Sequence, residues 1–288
     1  MKISEAFDLY KNNYMFIKGA SRRILENQDY VKNRMVKALG DINIEELTLE
    51  DVSRWNNTLH FRLLPDGTLQ ERRNNTIRND LIRLKMVLRY MRILGHECLN
   101  PELIPIPKRE DTRRGFLTPE EVDAMIENAS SLRNKVVISL FYASGIRLSE
   151  LIQLDRDSIY DREFTVVGKG NKARTCFIDR RTEELIREYL ATRTDDCPAL
   201  IISAKYKARM TPTNVQLLIR NSARRAGIEK KVFPHLLRHS FATDFIRKGG
   251  NIRYLSPMLG HASINTTLIY THVVDNDLKK QYEMYHNV

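Results

Sequence analysis

The sequence predicts a mainly α-helical protein in two parts, and three observations carry that reading. Apolar residues recur at three-and-four spacing over most of the chain. A proline-spaced basic stretch from Pro101 to Arg114 breaks the pattern. Two short β-rich runs around a glycine-bearing tip leave room for one small antiparallel sheet in the second part. At 288 residues there is chain enough for two ordinary domains, each with its own core.

From Ile3 to about Asn100 the periodicity predicts about four helices, with Phe7, Tyr10, Tyr14, Ile24, Tyr30, Val31, Met35 and Leu39 as core candidates. Gly40 ends one helix, and Thr48-Leu49-Glu50-Asp51 caps another that runs through Val52 and Trp55. Leu64-Pro65-Asp66-Gly67 is a turn. The next helix, from about Asn75 to Leu94, puts Ile77, Leu81, Leu84, Val87, Leu88 and Met91 on one face and spreads Arg78, Arg83, Lys85, Arg89 and Arg92 around the rest. An isolated charge run of this kind commonly just solvates a helix surface. Here Arg72-Arg73 ahead of Asn74-Asn75-Thr76 adds cations beside small hydrogen-bonding side chains, a mixture suited to a sugar-phosphate backbone, so Arg72, Arg73 and Arg78 are candidate nucleic-acid contacts.

Pro101, Pro105 and Pro107 among Lys108, Arg109, Arg113 and Arg114 predict an extended basic connector, able to lie along DNA. Thr118-Pro119-Glu120-Glu121 then opens a new helical domain with an N-cap, a proline at the first helical position and an acidic first turn. Val136–Tyr142 reads as a buried helix that Ser144-Gly145 interrupts. Residues 163–167 and 174–178 read as strands joined through Gly168-Lys169-Gly170-Asn171-Lys172, and helices resume at Thr182, Thr213, His235 and Asn251.

Composition narrows the class. Hydrophobic residues at 42% and charged residues at 29% fit a folded soluble chain, and 47 Lys plus Arg against 36 Asp plus Glu give +11, which points to an anionic partner without naming it. Cys98, Cys176 and Cys197 are odd in number and form no C-x-x-C pair, as expected in a reducing cytoplasm. The first eight residues carry acids where a signal peptide needs an apolar run, and no stretch approaches the roughly eighteen apolar residues of a membrane span.

Four stretches hold the chemistry: Ala143-Ser144-Gly145-Ile146-Arg147-Leu148-Ser149-Glu150-Leu151, the Lys169 loop, His235-Leu236-Leu237-Arg238-His239, and residues 259–272 from Leu259-Gly260-His261 through Tyr270-Thr271-His272. The order Arg147, Lys169, His235-x-x-Arg238, His261, Tyr270 resembles the active site of the tyrosine recombinases, or phage integrase family, most closely the Xer-type branch. The likeness covers residues 115–275 and includes Ser222–Ile228 ahead of Pro234-His235. It extends more loosely to residues 1–107 as a helical, SAM-like core-binding domain, ending at Tyr90–His96 before Asn100-Pro101. The segment from Leu63 to Arg72 has no place in that likeness. The resemblance implies a core-binding domain at 1–107, a basic linker at 108–114, a mostly helical catalytic domain at 115–274 and a tail helix at 275–288 carrying Leu278, Tyr282 and Tyr285.

Cutting a phosphodiester without metal requires a nucleophile, positive charge for the pentavalent transition state and an acid for the departing oxygen. Arg147 and Arg238 offer planar forks to the two non-bridging oxygens, and Tyr270 offers a phenol able to hold the cut end covalently. The resemblance gives Lys169 the role of acid to the leaving 5′-oxygen, with Lys172 as runner-up and a DNA contact. It puts His235 beside the nucleophile as base or positioner, and gives His261 a hydrogen bond to the scissile phosphate. Glu150 and His239 are expected as supporting residues. Neither metal nor organic cofactor is expected. The partners it implies are duplex DNA with a specific site and three further protomers, identical or related, in a ring built through the tail.

Bland readings compete at each point. His235 and His239 stand four apart on a helix, but H-x-x-R-H lacks the zinc-protease glutamate and puts a cation between the ligands. The Lys169 loop lacks P-loop spacing. Leu94-Gly95-His96 repeats Leu259-Gly260-His261 by accident, but only Tyr270 of twelve tyrosines stands nine residues after such a histidine with Thr-His-Val following. Pro257 departs from the family pattern: an interior proline costs about 3 kcal/mol or more, so the helix ahead of His261 is expected to start at Ser256 or bend. Chromosome-dimer resolution is the leading role. Integration or excision of a mobile element, a type IB topoisomerase and a non-catalytic DNA-binding regulator are the rivals.

Overall fold

The computed structural model describes residues 1–63, 66–72, 74–110, 115–168, 172–260, 267, 268, 270 and 282. The chain divides into two compact units, Met1–Arg113 and Arg114–Val288.

The first unit is helical because its apolar stripes close on one another. α1 (Ile3–Tyr10) continues through a π turn at Lys11–Met15, and α2 (Arg22–Leu39) stops at Gly40, which takes a positive φ of 79°. α3 (Leu49–Leu59) starts with a reciprocal cap: the Asp51 amide donates to the Thr48 hydroxyl at 3.1 Å and the Thr48 amide donates to the Asp51 carboxylate at 3.0 Å. α4 (Asn74–Ile93) buries all six residues of its expected face, Ile77, Leu81, Leu84, Val87, Leu88 and Met91, around Trp55, Phe7 and Met35.

Two expectations fail here. Ile24 and Tyr30 are exposed: the inward stripe of α2 runs through Gln28, Val31 and Met35, which Tyr30 stands beside, and Ile24, although in line with that stripe, sits in the first turn of the helix. The segment around the expected turn is an antiparallel hairpin, β1 (Phe61–Leu63) with β2 (Leu69–Glu71), so the protein has a second small sheet; Leu64 and Pro65 of that turn lie outside the described residues.

The extended connector is held against its own unit as far as Glu110. The carbonyl of Cys98, just ahead of it, and its own carbonyls at Ile104, Pro107 and Glu110 accept from Arg92, Lys85, Arg78 and Asn75 of α4 at 2.9–3.3 Å. The donors Arg92, Lys85 and Arg78 are seven apart and so form one stripe, and the connector runs back along it antiparallel to the helix. Residues 111–114, the basic end of the connector, lie outside the described residues.

The second unit is built around α6 (Leu132–Ser144), which is buried nearly all round through Val136, Val137, Ile138, Leu140 and Phe141. α5 (Pro119–Glu127), α8 (Arg180–Ala191), α9 (Pro212–Arg225) and α10 (Pro234–Arg247) pack on it. Gly145 ends α6 in the left-handed region at φ 61°. A Cβ there would stand 2.5 Å from the Phe241 ring, so the position excludes a side chain on two counts. The short α7 (Leu148–Leu151) follows, then the hairpin β3 (Glu163–Val167) and β4 (Ala173–Phe177), with Phe164 opposite Cys176 and Val166 opposite Arg174.

α11 (Ile252–Leu259) is capped by Asn251 and passes through Pro257 to end at Gly260, which is left-handed at φ 61°. The helix therefore neither waits for Ser256 nor stops at the proline. Its eight residues carry few ladder bonds for the ring to disturb, and Leu255 and Leu259 are fully buried on either side of it. The Leu278 and Tyr285 positions of the expected tail helix lie outside the described residues; Tyr282 is exposed. Among the described residues no helix is long and apolar enough to cross a membrane.

Candidate active site

The site begins where α6 ends. The left-handed Gly145 turns the chain so that Arg147 becomes the N-cap of α7, and Glu150, one turn on, closes a box. The Arg147 amide donates to Glu150 Oε2 and Arg147 Nη1 donates to Oε1, both at 2.8 Å. Arg147 Nη2 then reaches the Gly260 carbonyl at 2.6 Å.

Arg238 comes from the middle of α10, where Pro234 sits at the first helical position and His235 and His239 flank it. Its Nη1 donates to the Gly145 carbonyl at 2.6 Å and its Nη2 to the Leu259 carbonyl. The two predicted clamp residues thus converge on adjacent carbonyls at the end of α11. Arg147 keeps 32% of its side chain in solvent, whereas Arg238 is 2% exposed, so an entering group meets Arg147 first.

A third cation joins them that sequence reasoning did not single out. Arg174 of β4 grips both oxygens of Glu150 at 2.7 and 2.6 Å and donates from Nε to the Met258 carbonyl at 2.9 Å. The signal was present in the strand pattern: Arg174 is two residues before the buried Cys176, so it shares the inward face of the hairpin.

The electrostatics follow from that crowding. Burial alone would lift the Glu150 carboxyl, but hydrogen bonds from Arg174 and from the Arg147 amide and side chain hold it down at about 2. Arg238 moves the other way, pushed down to about 10 by burial and by the charges of Arg147 and Arg174, with Glu150 and Tyr270 opposing in part. Arg147 and Arg174 share the Glu150 carboxylate while Arg238 donates to carbonyls, so three guanidinium charges stand near one carboxylate, which leaves positive charge uncompensated in a largely dry site, the condition that favours an anion.

Tyr270 is 3% exposed, packed with Ala242, Ile246, Leu255 and Leu259, and its ring lies 5.0 Å from the His239 ring at 36°. The expected supporting residues Glu150 and His239 therefore touch Arg147 and Tyr270. His235 is exposed near the start of α10, on the same side of the helix as His239. Lys172 is exposed beyond the end of β3, and its carbonyl accepts from the Gly168 amide at 2.9 Å. Lys169 and His261 lie outside the described residues, as does Arg73. In the first unit, Arg72 is half-buried and Arg78 is joined to Pro107. Among the described residues no group of three or more His, Cys, Asp and Glu side chains is placed to hold a metal ion.

Comparison with known proteins gives the family. The sequence model of the phage integrase family matches residues 115–277. Tyrosine recombinase XerA of Pyrococcus furiosus is 40% identical over 184 residues, a match spanning 62% of this chain and 64% of that protein, a little under two thirds of its length. Tyrosine recombinase XerD of Rickettsia bellii is 30% identical over 296 residues, covering 94% of this chain and 92% of the other. A crystal structure of a lambda integrase dimer bound to a COC′ core site shares the fold, with a TM-score of 0.76 at 16% identity over 92% of this chain and 97% of that one. The chain belongs to the phage integrase family, the tyrosine recombinases, and is an enzyme of that DNA strand-transferase class.

Proposed function

We propose that this protein is a site-specific recombinase that cuts and rejoins duplex DNA through a 3′-phosphotyrosine at Tyr270, exchanges strands by way of a Holliday junction, and serves Xer-type resolution of chromosome dimers in the cytoplasm. The observation that carries the reading is the convergence of Arg147 and Arg238 on the end of α11, with more positive charge than Glu150 offsets. Each guanidinium has five N–H donors and spends two on the contacts given above, so both keep donors for the non-bridging oxygens of a phosphate.

In this mechanism the Tyr270 oxygen attacks phosphorus, with His235 taking or steering its proton. The P–O5′ bond breaks as Lys169 protonates the departing oxygen, and Arg147, Arg238 and His261 hold the pentavalent phosphoryl group. The 5′-hydroxyl of a partner strand then attacks the phosphotyrosine and regenerates the phenol. Burial of Tyr270 requires that DNA binding bring the ring out to the phosphate. Arg72, Arg73, Arg78 and Lys172 contact the DNA backbone. A tetramer, of identical or related protomers, holds two duplexes. The curated Xer relatives at 30–40% identity support the chromosomal role over that of a mobile-element integrase.

The test is a nicked suicide duplex bearing the site that the protein selects from a randomised library. Wild type and Tyr282→Phe are expected to form a covalent protein–DNA adduct and Tyr270→Phe none; an adduct that survives Tyr270→Phe sinks the reading.

A further inference from the structure

Arg174 is a cation with no part in the mechanism above, and it is closely held. Its side chain is 8% exposed and that of its partner Glu150 is 4% exposed. Together with Arg147, Arg174 fills the carboxylate. Oε1 accepts from Arg147 Nη1 at 2.8 Å and Arg174 Nη1 at 2.7 Å, and Oε2 accepts from the Arg147 amide at 2.8 Å and Arg174 Nη2 at 2.6 Å. Four donors on two oxygens leave Glu150 one orientation, and that orientation sets the Arg147 fork.

The same guanidinium also belongs to a second set of contacts. The last carbonyls of a helix have no partner within it and form its negative end. At the end of α11 the carbonyls of Met258, Leu259 and Gly260 are taken in succession by Arg174 of β4, Arg238 of α10 and Arg147 of α7. Arg174 lies against the turn itself, since a Cβ on Gly260 would stand 2.8 Å from Arg174 Cδ. A lysine carries the charge but cannot give two parallel bonds to a carboxylate and a third to a carbonyl.

We propose that Arg174 is a positioning residue for DNA cleavage. Acting through Glu150 it aims Arg147 at the scissile phosphate, and its bond to the Met258 carbonyl holds the Arg174 guanidinium itself in place. The inference rests on the reading of the site as a phosphate clamp, and it goes beyond that reading by assigning Arg174 a kinetic effect with no contact to DNA.

Single-turnover adduct formation on the nicked suicide duplex tests it, alongside duplex affinity and a thermal melt. Arg174→Gln is expected to bind DNA as wild type does and to cleave about 100-fold more slowly, the size of loss that displacing a catalytic group by about an ångström can cause. Arg174→Lys is expected to fall between the two, and carries the test if the Gln variant does not fold. A residue that only stabilises the fold multiplies its loss into any background, whereas one acting through Arg147 does not. In an Arg147→Ala protein, Arg174→Gln should therefore slow cleavage by less than about threefold. Wild-type cleavage rates in the Arg174 variants, or losses that multiply with Arg147→Ala, overturn the proposal while leaving the clamp intact. Absence of any adduct from wild type instead removes the clamp reading on which it stands.

Discussion

Cations donate to backbone carbonyls in both units of this protein, with different surroundings in each. Along α4 they are spread out: Arg92, Lys85 and Arg78 stand about two turns apart, each with its own acceptor on or just ahead of the extended connector, while Arg89 pairs with Glu102. At the end of α11, Arg147, Arg174 and Arg238 crowd onto three consecutive carbonyls, and the first two share Glu150. Spread cations fasten a segment at little mutual cost. Crowded ones repel, which adds to burial in lowering Arg238, and in the proposed function an incoming phosphate relieves the repulsion. Crowding around too few carboxylates, rather than the number of arginines, marks the proposed anion site.

The comparison is broken most readily by its largest expected effect. Arg238→Gln removes a clamp and leaves two carbonyls unbonded, and should slow adduct formation about 10²- to 10³-fold, while Arg92→Gln should leave it within about twofold. Equal losses in the two variants would erase the distinction between the regions.

Next in size is a pH effect on stability. Glu150 titrates at about 2 in the folded chain against an ordinary 4.5, so its contribution is complete above about 4.5 and is lost as the pH falls through 2. That amounts to roughly 3 kcal/mol over the window. Urea unfolding at pH 5 and pH 3 should show about half of this loss in wild type and a shallower slope in Glu150→Gln; matching slopes contradict the role given to the carboxylate. Smallest is the connector. Arg78→Gln and Arg92→Gln should each cost the first unit about 1 kcal/mol in thermal melts. Only Arg78→Gln should also lower the salt dependence of DNA binding by about one unit of slope, because Arg78 is the one of the two assigned to the phosphate backbone.

Much of this architecture was legible in the sequence where burial follows a period. The stripe of α4 and the caps at Thr48 and Thr118 gave helices and starts at the observed places, and the Arg147, Arg238 and Tyr270 motifs named residues that the fold brings into one region. The β1–β2 hairpin was not legible, because Leu69, Gln70 and Glu71 are all exposed and show no alternation. Tyr30 misled because it stands beside the inward stripe of α2, and Ile24 because it is in line with that stripe but in the first turn; the stripe itself includes the polar Gln28, whose oxygen accepts from Arg83 at 3.4 Å. The carbonyl acceptors at Met258, Leu259 and Gly260 were beyond reach for a simpler reason: a backbone oxygen is the same in every residue, so nothing in the sequence marks the ones that arginines will seek.

The measurement that tests the account most directly is peptide mapping of the covalent adduct. Trypsin should release the DNA-linked peptide spanning residues 254–279, which contains both Tyr254 and Tyr270. Tandem fragmentation is predicted to place the residual nucleotide on Tyr270; a nucleotide on Tyr254, or on Tyr282 in the following peptide, would contradict the assignment of the nucleophile and the site built around it.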